Sequence, residues 1–556
     1  MSKPDGPKSP GKHRQSELWD DTSFQVLSED ELLSVALALG AETVMPWSRE
    51  EIDLICRASR LAPPSVFTVA TVRNLISSGL DPLGDAFCRL RSAEKRRASG
   101  ATYTPARIVY AMVHSAALKI RPGRIVDPGT GSGRFLLEAA KAFPEAELIG
   151  IETDPLAAIL ARANLAATAS ANRARIIVGD YRRFREAASV PTLYIGNPPY
   201  VRHHDIEAKW KDWLFAEASA MGYRASKLAG LHVHFFLATA RAARPGDFGV
   251  FITAAEWLDV NYGSLVRSLI LRELGGRSVT IIDPRAQPFP DAATTAAVTT
   301  FEIGSKPTSV FFRRVDTLGE LEGPNGAIEV HRDRLAVESK WSHLGRVLDK
   351  PPDGYVELGE LCQVHRGQVT GSNDIWIAGD HSRDLPASVL FRTITRAREV
   401  IAADGVLEDS SKLRDVIDIP GDLGVLDRGD LAEVERFIKL AKRLGANLGY
   451  IASHRKAWWS VGLRAPAPII STYMARRPPA FILNRADARH INIAHGLYPR
   501  IRLAESALMR LVRYLQVNIS QRSGRTYAGG LTKFEPREME RLFVPSPEML
   551  AEGAAQ

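Results

Sequence analysis

Gly123-Arg124-Ile125-Val126-Asp127-Pro128-Gly129-Thr130-Gly131-Ser132-Gly133-Arg134-Phe135 reads as a strand, a glycine turn and the start of a helix. β-branched residues run up to Asp127, and RFLLEAAKAF (134–143) then takes helical apolar spacing. The glycines between them allow a tight turn and a close approach of bare backbone to a ligand. The same alternation repeats downstream. AELIGIETD (146–154), ARIIVGD (174–180) and TLYIGNPPY (192–200) read as strands, and LAAILARANLAA (156–167) reads as a helix between two of them. Later come a helix around His232–Ala243 and the strands GDFGVFIT (246–253) and VTIIDP (279–284). Strands alternating with helices predict an α/β fold, a mostly parallel sheet with helices on both faces.

Two acidic residues stand at strand ends where a nucleoside would be read. Glu152 lies nineteen residues after Gly133 and closes the next strand. A carboxylate there accepts from both hydroxyls of a ribose. Asp180 closes the third strand and is placed to accept from an adenine amino group. Both residue types also occur as plain strand-end turns. Their combination with the glycine loop points to an adenosine-containing cofactor. The NAD fingerprint is G-x-G-x-x-G, whereas this loop is G-T-G-S-G after Asp-Pro.

The fourth strand runs into Gly196-Asn197-Pro198-Pro199-Tyr200. By average residue usage such a tetrapeptide arises by chance in roughly two chains per thousand of this length, so a mere proline turn is the weaker reading. An exocyclic amine on an aromatic base is a poor nucleophile, because its lone pair is delocalised into the ring. The Asn197 side-chain oxygen and the Pro198 carbonyl are acceptors. Hydrogen bonds to them from both amine hydrogens localise the lone pair for attack. Tandem prolines hold the acceptors rigidly, so little reorganisation accompanies the reaction. Tyr200 offers a face for stacking and for the positive charge that develops. Asn197, Pro198, Pro199 and Tyr200 are therefore the candidate catalytic residues.

Outside this core the sequence is less specific. The chain has 556 residues, net charge +8 and 45% apolar residues, ordinary for a globular protein of about three domains. Three widely spaced cysteines, Cys56, Cys88 and Cys362, support neither a disulfide framework nor a cysteine zinc site, and no metal is expected. His203 and His204 read as loop residues. No long apolar run predicts a membrane span. The N-terminal MSKPDGPKSPGKHRQSE has no apolar segment and reads as a basic, disordered tail, which fits a cytoplasmic location. Residues 29–76 have helical spacing, with Ser28 and Glu31 as a capping box. The boundaries read as 1–98 for the tail and helical region, 99–305 for the α/β domain and 306–556 for a mixed α+β region. From Ile451 to Gln556 there are sixteen Lys and Arg against seven Asp and Glu, a net of +9. Such an excess suits a polyanionic partner, and a solvated Arg-rich surface is the alternative.

Taken together, the glycine loop resembles that of class I S-adenosylmethionine-dependent methyltransferases. Residues from roughly 98 to 305, and 355–545 in patches, resemble the γ-type N6-adenine DNA methyltransferases, the TaqI-like and Eco57I-like enzymes of bacterial and archaeal restriction–modification systems, whereas the first hundred residues show no such likeness. In that family a segment ending in Thr-Pro precedes the glycine loop, as Gly100-Ala101-Thr102-Tyr103-Thr104-Pro105 does here. The likeness continues through 234–258, 281–303, 364–377 and 524–545. Thr130 stands where many relatives carry Ala or Cys.

The resemblance implies a Rossmann-like methyltransferase sheet and S-adenosyl-L-methionine as cofactor. It implies cofactor contacts from Tyr103, Thr104, Pro105, Asp127, Gly129, Gly131, Gly133, Glu152 and Asp180. It implies a Phe near the target base, assigned to Phe289, where an apolar core Phe is the competing reading. The partner implied is double-stranded DNA, with Arg476, Arg477, Arg522, Arg525 and Lys533 as candidate contacts. A separately encoded restriction endonuclease is a further possible partner. Because the target amine lies inside the duplex stack, the base must flip out.

None of the three cysteines follows a proline, which disfavours C5-cytosine methylation by a Pro-Cys nucleophile. No PD…(D/E)xK arrangement is found in the N-terminal region, so no cleavage activity is expected. The alternatives are an N4-cytosine DNA methyltransferase, an RNA or protein-glutamine methyltransferase, and a non-catalytic DNA-binding subunit.

Overall fold

Among the described residues four helices come first, each announced by a side chain that caps it. They are α1 (Glu29–Ala38), α2 (Arg49–Ala58), α3 (Val66–Ser77) and α4 (Pro82–Leu90). Ser28, Ser48, Ser65 and Asp81 each accept a backbone N–H from the first turn. The reciprocal capping box forms at Ser48, whose N–H donates to Glu51 at 2.8 Å. At Ser28 it does not form, because Glu31 accepts from the N–H of Leu27 instead.

The computed structural model describes residues 24–92, 103–186, 188–289, 295–323, 326–345, 351–475, 477–519, 525–527 and 531–553. The expected N-terminal tail lies almost entirely outside them. The chain divides into two compact units, Met1–Val347 and Leu348–Gln556.

The first unit is built on one nine-stranded sheet. Its strands are β1 (Arg124–Pro128), β2 (Glu147–Glu152), β3 (Ala174–Val178), β4 (Thr192–Gly196), β5 (Phe248–Ala254), β6 (Gly276–Ile282), β7 (Ala296–Glu302), β8 (Ser309–Val315) and β9 (Ile328–His331). Their order is β3-β2-β1-β4-β5-β7-β6-β8-β9. Strands β1 to β5 are mutually parallel, and β7 enters antiparallel between β5 and β6. The helices that follow the opening four are α5 (Ala106–Ala117), α6 (Arg134–Ala142), α7 (Pro155–Ala167), α8 (Ala208–Ala220), α9 (Leu231–Ala242) and α10 (Ser264–Leu271).

Strand periodicity divides the core in two. Successive side chains point to opposite faces. Ile125, Leu148, Leu193, Ile195, Val250 and Ile252 join one apolar cluster with α1 and with α5 to α7. Val126, Ile149, Tyr194 and Phe251 join the other with α9 and α10. This double burial explains why the strands read as nearly continuous apolar runs.

Two features differ from the sequence reading. The sheet continues past residue 305, because Val310 of β8 and Trp341 share a cluster with Phe301 of β7. The irregular spacing there reflects an antiparallel margin of the same sheet. The opening helices are also part of this unit. Leu32 and Leu33 of α1 pack with Ile159 and Leu160 of α7. Glu51 and Arg162, both fully buried, pair at 2.7 Å between α2 and α7.

The second unit is mixed α and β, as its sequence reads. A five-stranded sheet runs Cys362–Arg366, Ala494–Pro499, Ile469–Thr472, Phe481–Asn484 and Val406–Leu407. Helix Glu505–Asn518 shares a core with it through Leu511 and Leu515. No helix among the described residues is long and apolar enough to cross a membrane.

Candidate active site

A cavity opens at the C-terminal ends of β1 to β4. Tyr103, Thr104, Gly129, Gly131, Glu152, Asp180, Asn197 and Pro199 all line it. Parallel strands place their βα turns at this one edge, which is why residues so far apart in sequence meet here. Gly129, Gly131 and Gly133 have φ of +76°, +55° and +88°, a region that side chains with a Cβ rarely adopt. At Gly133 a Cβ would also press on Ala161 at 3.3 Å, so this glycine sets the approach of α6 to α7. Gly133 and Pro105 are not among the residues lining the cavity.

The acidic residues divide by what already holds them. Glu152 Oε1 accepts from the N–H groups of Thr153 and Asp154, at 2.8 and 2.9 Å. Its Oε2 accepts from Gly131 N–H at 2.8 Å. The carboxylate thus ties the glycine loop to β2, and only Oε2 keeps a lone pair for a further donor. Burial raises its pKa, opposed by the hydrogen bonds. Asp180 accepts from Arg182 Nε at 2.8 Å, and the Arg182 guanidinium lies 3.7 Å from the Trp210 ring centroid. A ligand amine reaching Asp180 therefore shares it with an arginine.

Asp127 departs from its expected place. It is fully buried and lies outside the cavity lining. Its Oδ2 accepts from the Thr130 hydroxyl at 2.8 Å. A Cβ on Gly196 would come within 2.5 Å of its other oxygen. Burial pushes the Asp127 carboxyl up to about 8. Asp127 thus braces the loop and the end of β4 from beneath.

The tetrapeptide is anchored from the opposite wall. Asn197 Nδ2 donates to Thr104 Oγ1 at 3.1 Å. With the amino group so engaged, Oδ1 is the amide's acceptor end. Pro198 is buried, and Tyr200 packs edge-to-face on Phe289 with ring centroids 5.5 Å apart. Phe289 is 2% exposed and belongs to the apolar core, so the core reading describes it as well as the site reading does.

Donors and acceptors in this cavity fit S-adenosylmethionine. Gly131 leaves a cradle 3.7 Å from the Tyr103 hydroxyl. That hydroxyl is buried and has no hydrogen-bond partner among the described residues. Glu152 and Asp180 face the same space.

Comparison with known proteins bears on the family. Residues 80–261 match the N-6 DNA Methylase model, and residues 348–556 match the C-terminal domain of Type II methyltransferase M.Eco57I. Type II methyltransferase M.XamI of Xanthomonas campestris pv. amaranthicola is 47% identical over 94% of this chain and 99% of its own length. The chain belongs to the type II methyltransferases. Type II methyltransferase M.AccI of Acinetobacter calcoaceticus is 22% identical over 81% of this chain and 86% of its own. The type IIG restriction endonuclease BpuSI is a structural neighbour with TM-score 0.49 and 14% identity, over 94% of this chain and 71% of that one.

This methyltransferase is an adenine-specific DNA enzyme, and S-adenosylmethionine is its methyl donor. Several residues around its site were not singled out in the sequence. Buried Asp81, Ser132 and Asn164 and half-buried Arg134 form a polar cluster around the glycine loop.

In the second unit of the methyltransferase several basic residues already have carboxylate partners. Arg485 pairs with Glu408 and Glu505, and Arg489 lies 3.9 Å from Asp418, so carboxylates already engage both. A three-stranded sheet aligns Arg525 with Lys533 and Lys533 with Met474, next to exposed Arg477. Lys533 itself is ion-paired to Glu535. Arg476 and Arg522 lie outside the described residues.

Proposed function

We propose that this enzyme methylates the N6 amine of an adenine flipped out of double-stranded DNA, as the modification component of a restriction–modification system. The observation that carries the mechanism is the Asn197 amide, set at the cavity edge with Nδ2 held by Thr104. Bound S-adenosylmethionine supplies an electrophilic sulfonium methyl. Every other step belongs to the protein. Tyr103, the glycine loop and Glu152 hold the cofactor, and Asp180 with Arg182 borders its base. Asn197 Oδ1 and the Pro198 carbonyl accept the two amine hydrogens, which sharpens the lone pair for direct attack. The N–CH3 bond forms as the S–CH3 bond breaks, with S-adenosylhomocysteine as the leaving group. The cationic amine then releases its proton to solvent water, and no covalent enzyme intermediate forms.

Tyr200 receives the extruded base from one side, and Phe289 supports its ring. Arg477, Arg525 and Lys533, with Arg476 and Arg522, supply phosphate contacts from the second unit. Such contacts make affinity salt-dependent. The reaction takes place in the cytoplasm, and a separately encoded endonuclease reads the same sequence.

The substrate class is tested with methyl-labelled S-adenosylmethionine and purified enzyme. Label should enter duplex DNA of mixed sequence, and structured RNA and release-factor peptides should stay unlabelled. Transfer to RNA or peptide with none to DNA would overturn the proposal.

A further inference from the structure

Two carboxylates at the start of α4, Asp81 and Asp85, connect to the catalytic amide through Arg134 and a short chain of hydrogen bonds. Asp81 caps α4 and is 8% exposed. Its Oδ1 accepts from Gly84 N–H and from Asn164 Nδ2 of α7, each at 2.9 Å. Its Oδ2 accepts from the Ser132 hydroxyl in the glycine loop and from Arg134 Nε, the latter at 2.7 Å. Arg134 in turn donates to the Thr104 carbonyl at 3.1 Å, and its guanidinium lies 5.0 Å from the Tyr103 ring centroid. Thr104 is 4% exposed, and its hydroxyl accepts from Asn197 Nδ2.

The orientation of Asn197 matters for its chemistry. A side-chain amide can turn over and exchange its oxygen for its NH2 with little change in shape. In the reversed state a donor would face the donor hydrogens of the target amine. The Thr104 hydroxyl accepts from Nδ2 in the productive state. A hydroxyl donates as well as accepts, so what Thr104 fixes is the place of the amide, with Arg134 holding the Thr104 backbone and Asp81 and Asp85 holding Arg134. Buried carboxylates with all acceptor sites used are rigid, because any movement leaves a desolvated donor unsatisfied.

We propose that Asp81, Arg134 and Thr104 are positioning residues that hold the Asn197 side chain at the place where its amide meets the target amine. The opening helices are on this view part of the catalytic apparatus. The inference rests on the reading of Asn197 as the acceptor for that amine.

Steady-state methylation and cofactor calorimetry on the full chain test it. Thr104→Val keeps the shape and loses the acceptor. It should lower kcat about ten- to a hundredfold and shift the S-adenosylmethionine Kd by less than about threefold. Thr104→Ser keeps the hydroxyl and should hold kcat within about threefold of wild type. Asp81→Asn should lower kcat as well. The double variant should be at most about threefold slower than the slower single one, because both changes act on the same amide.

Three results would overturn the proposal: wild-type kcat in Thr104→Val, a loss confined to cofactor Kd, or fully multiplicative losses in the double variant. If Asp81→Asn shows no cooperative melt, the two Thr104 variants decide by the same thresholds. An active Asn197→Ala would remove the underlying reading. An inactive Asn197→Ala beside a fully active Thr104→Val would remove only the positioning role.

Discussion

Asn197→Ala should lower kcat by about a thousandfold or more while the S-adenosylmethionine Kd stays within about threefold of wild type. Loss of one preorganised polar contact to developing charge typically costs about a hundred- to a thousandfold in rate. Here the lost oxygen also orients the nucleophile, so the effect should fall at the upper end. Cofactor affinity should survive, because Tyr103, Glu152, the glycine loop and Asp180 line the cavity independently of Asn197. Asn197→Asp keeps an acceptor oxygen in the same place and should retain more activity than the alanine variant. Single-turnover methylation and calorimetry measure both quantities. Wild-type turnover by the alanine variant would contradict the mechanism.

The second large effect is on stability. Arg162→Ala should destabilise the first unit by about 3–5 kcal/mol, the range for breaking a buried ion pair from one side. Arg162 donates to both oxygens of Glu51, to the carbonyl of Val44 at 2.7 Å and to that of Ile176 at 2.9 Å. Its guanidinium also lies 4.6 Å from the Trp47 ring centroid. Deleting it leaves a buried carboxylate and several carbonyls without donors. Arg162→Met combined with Glu51→Leu removes both charges and should recover much of the loss. Denaturant unfolding that follows the first unit's transition measures the difference. A loss under about 1 kcal/mol in the single variant would show that water reaches the site on truncation.

Much of this architecture was legible because its signals are local. Strand–helix alternation and three glycines in a five-residue span mark the β1–α6 turn. A carboxylate at each of the next two strand ends marks the cavity rim. What escaped depends on three-dimensional packing. Asp127 sits in the motif yet turns beneath the loop toward Thr130, which spacing alone does not reveal. Asp180 reads as an open acceptor until Arg182 folds back onto it. Asp81 was not singled out, because its partners Ser132, Arg134 and Asn164 lie 51 to 83 residues away. The end of the sheet was placed too early because β8 and β9 break the strand–helix rhythm. At Ser28 the capping pattern was correct for the hydroxyl, and Glu31 chose a neighbouring N–H.

The most direct test of the central claim is a map of modified bases in a methylation-free bacterial host expressing the wild-type chain, beside a host expressing Asn197→Ala. N6-methyladenine is expected at one short recurring sequence with the wild type and at none with the variant. N4-methylcytosine at such a sequence, or adenine methylation that persists in the variant, would contradict it.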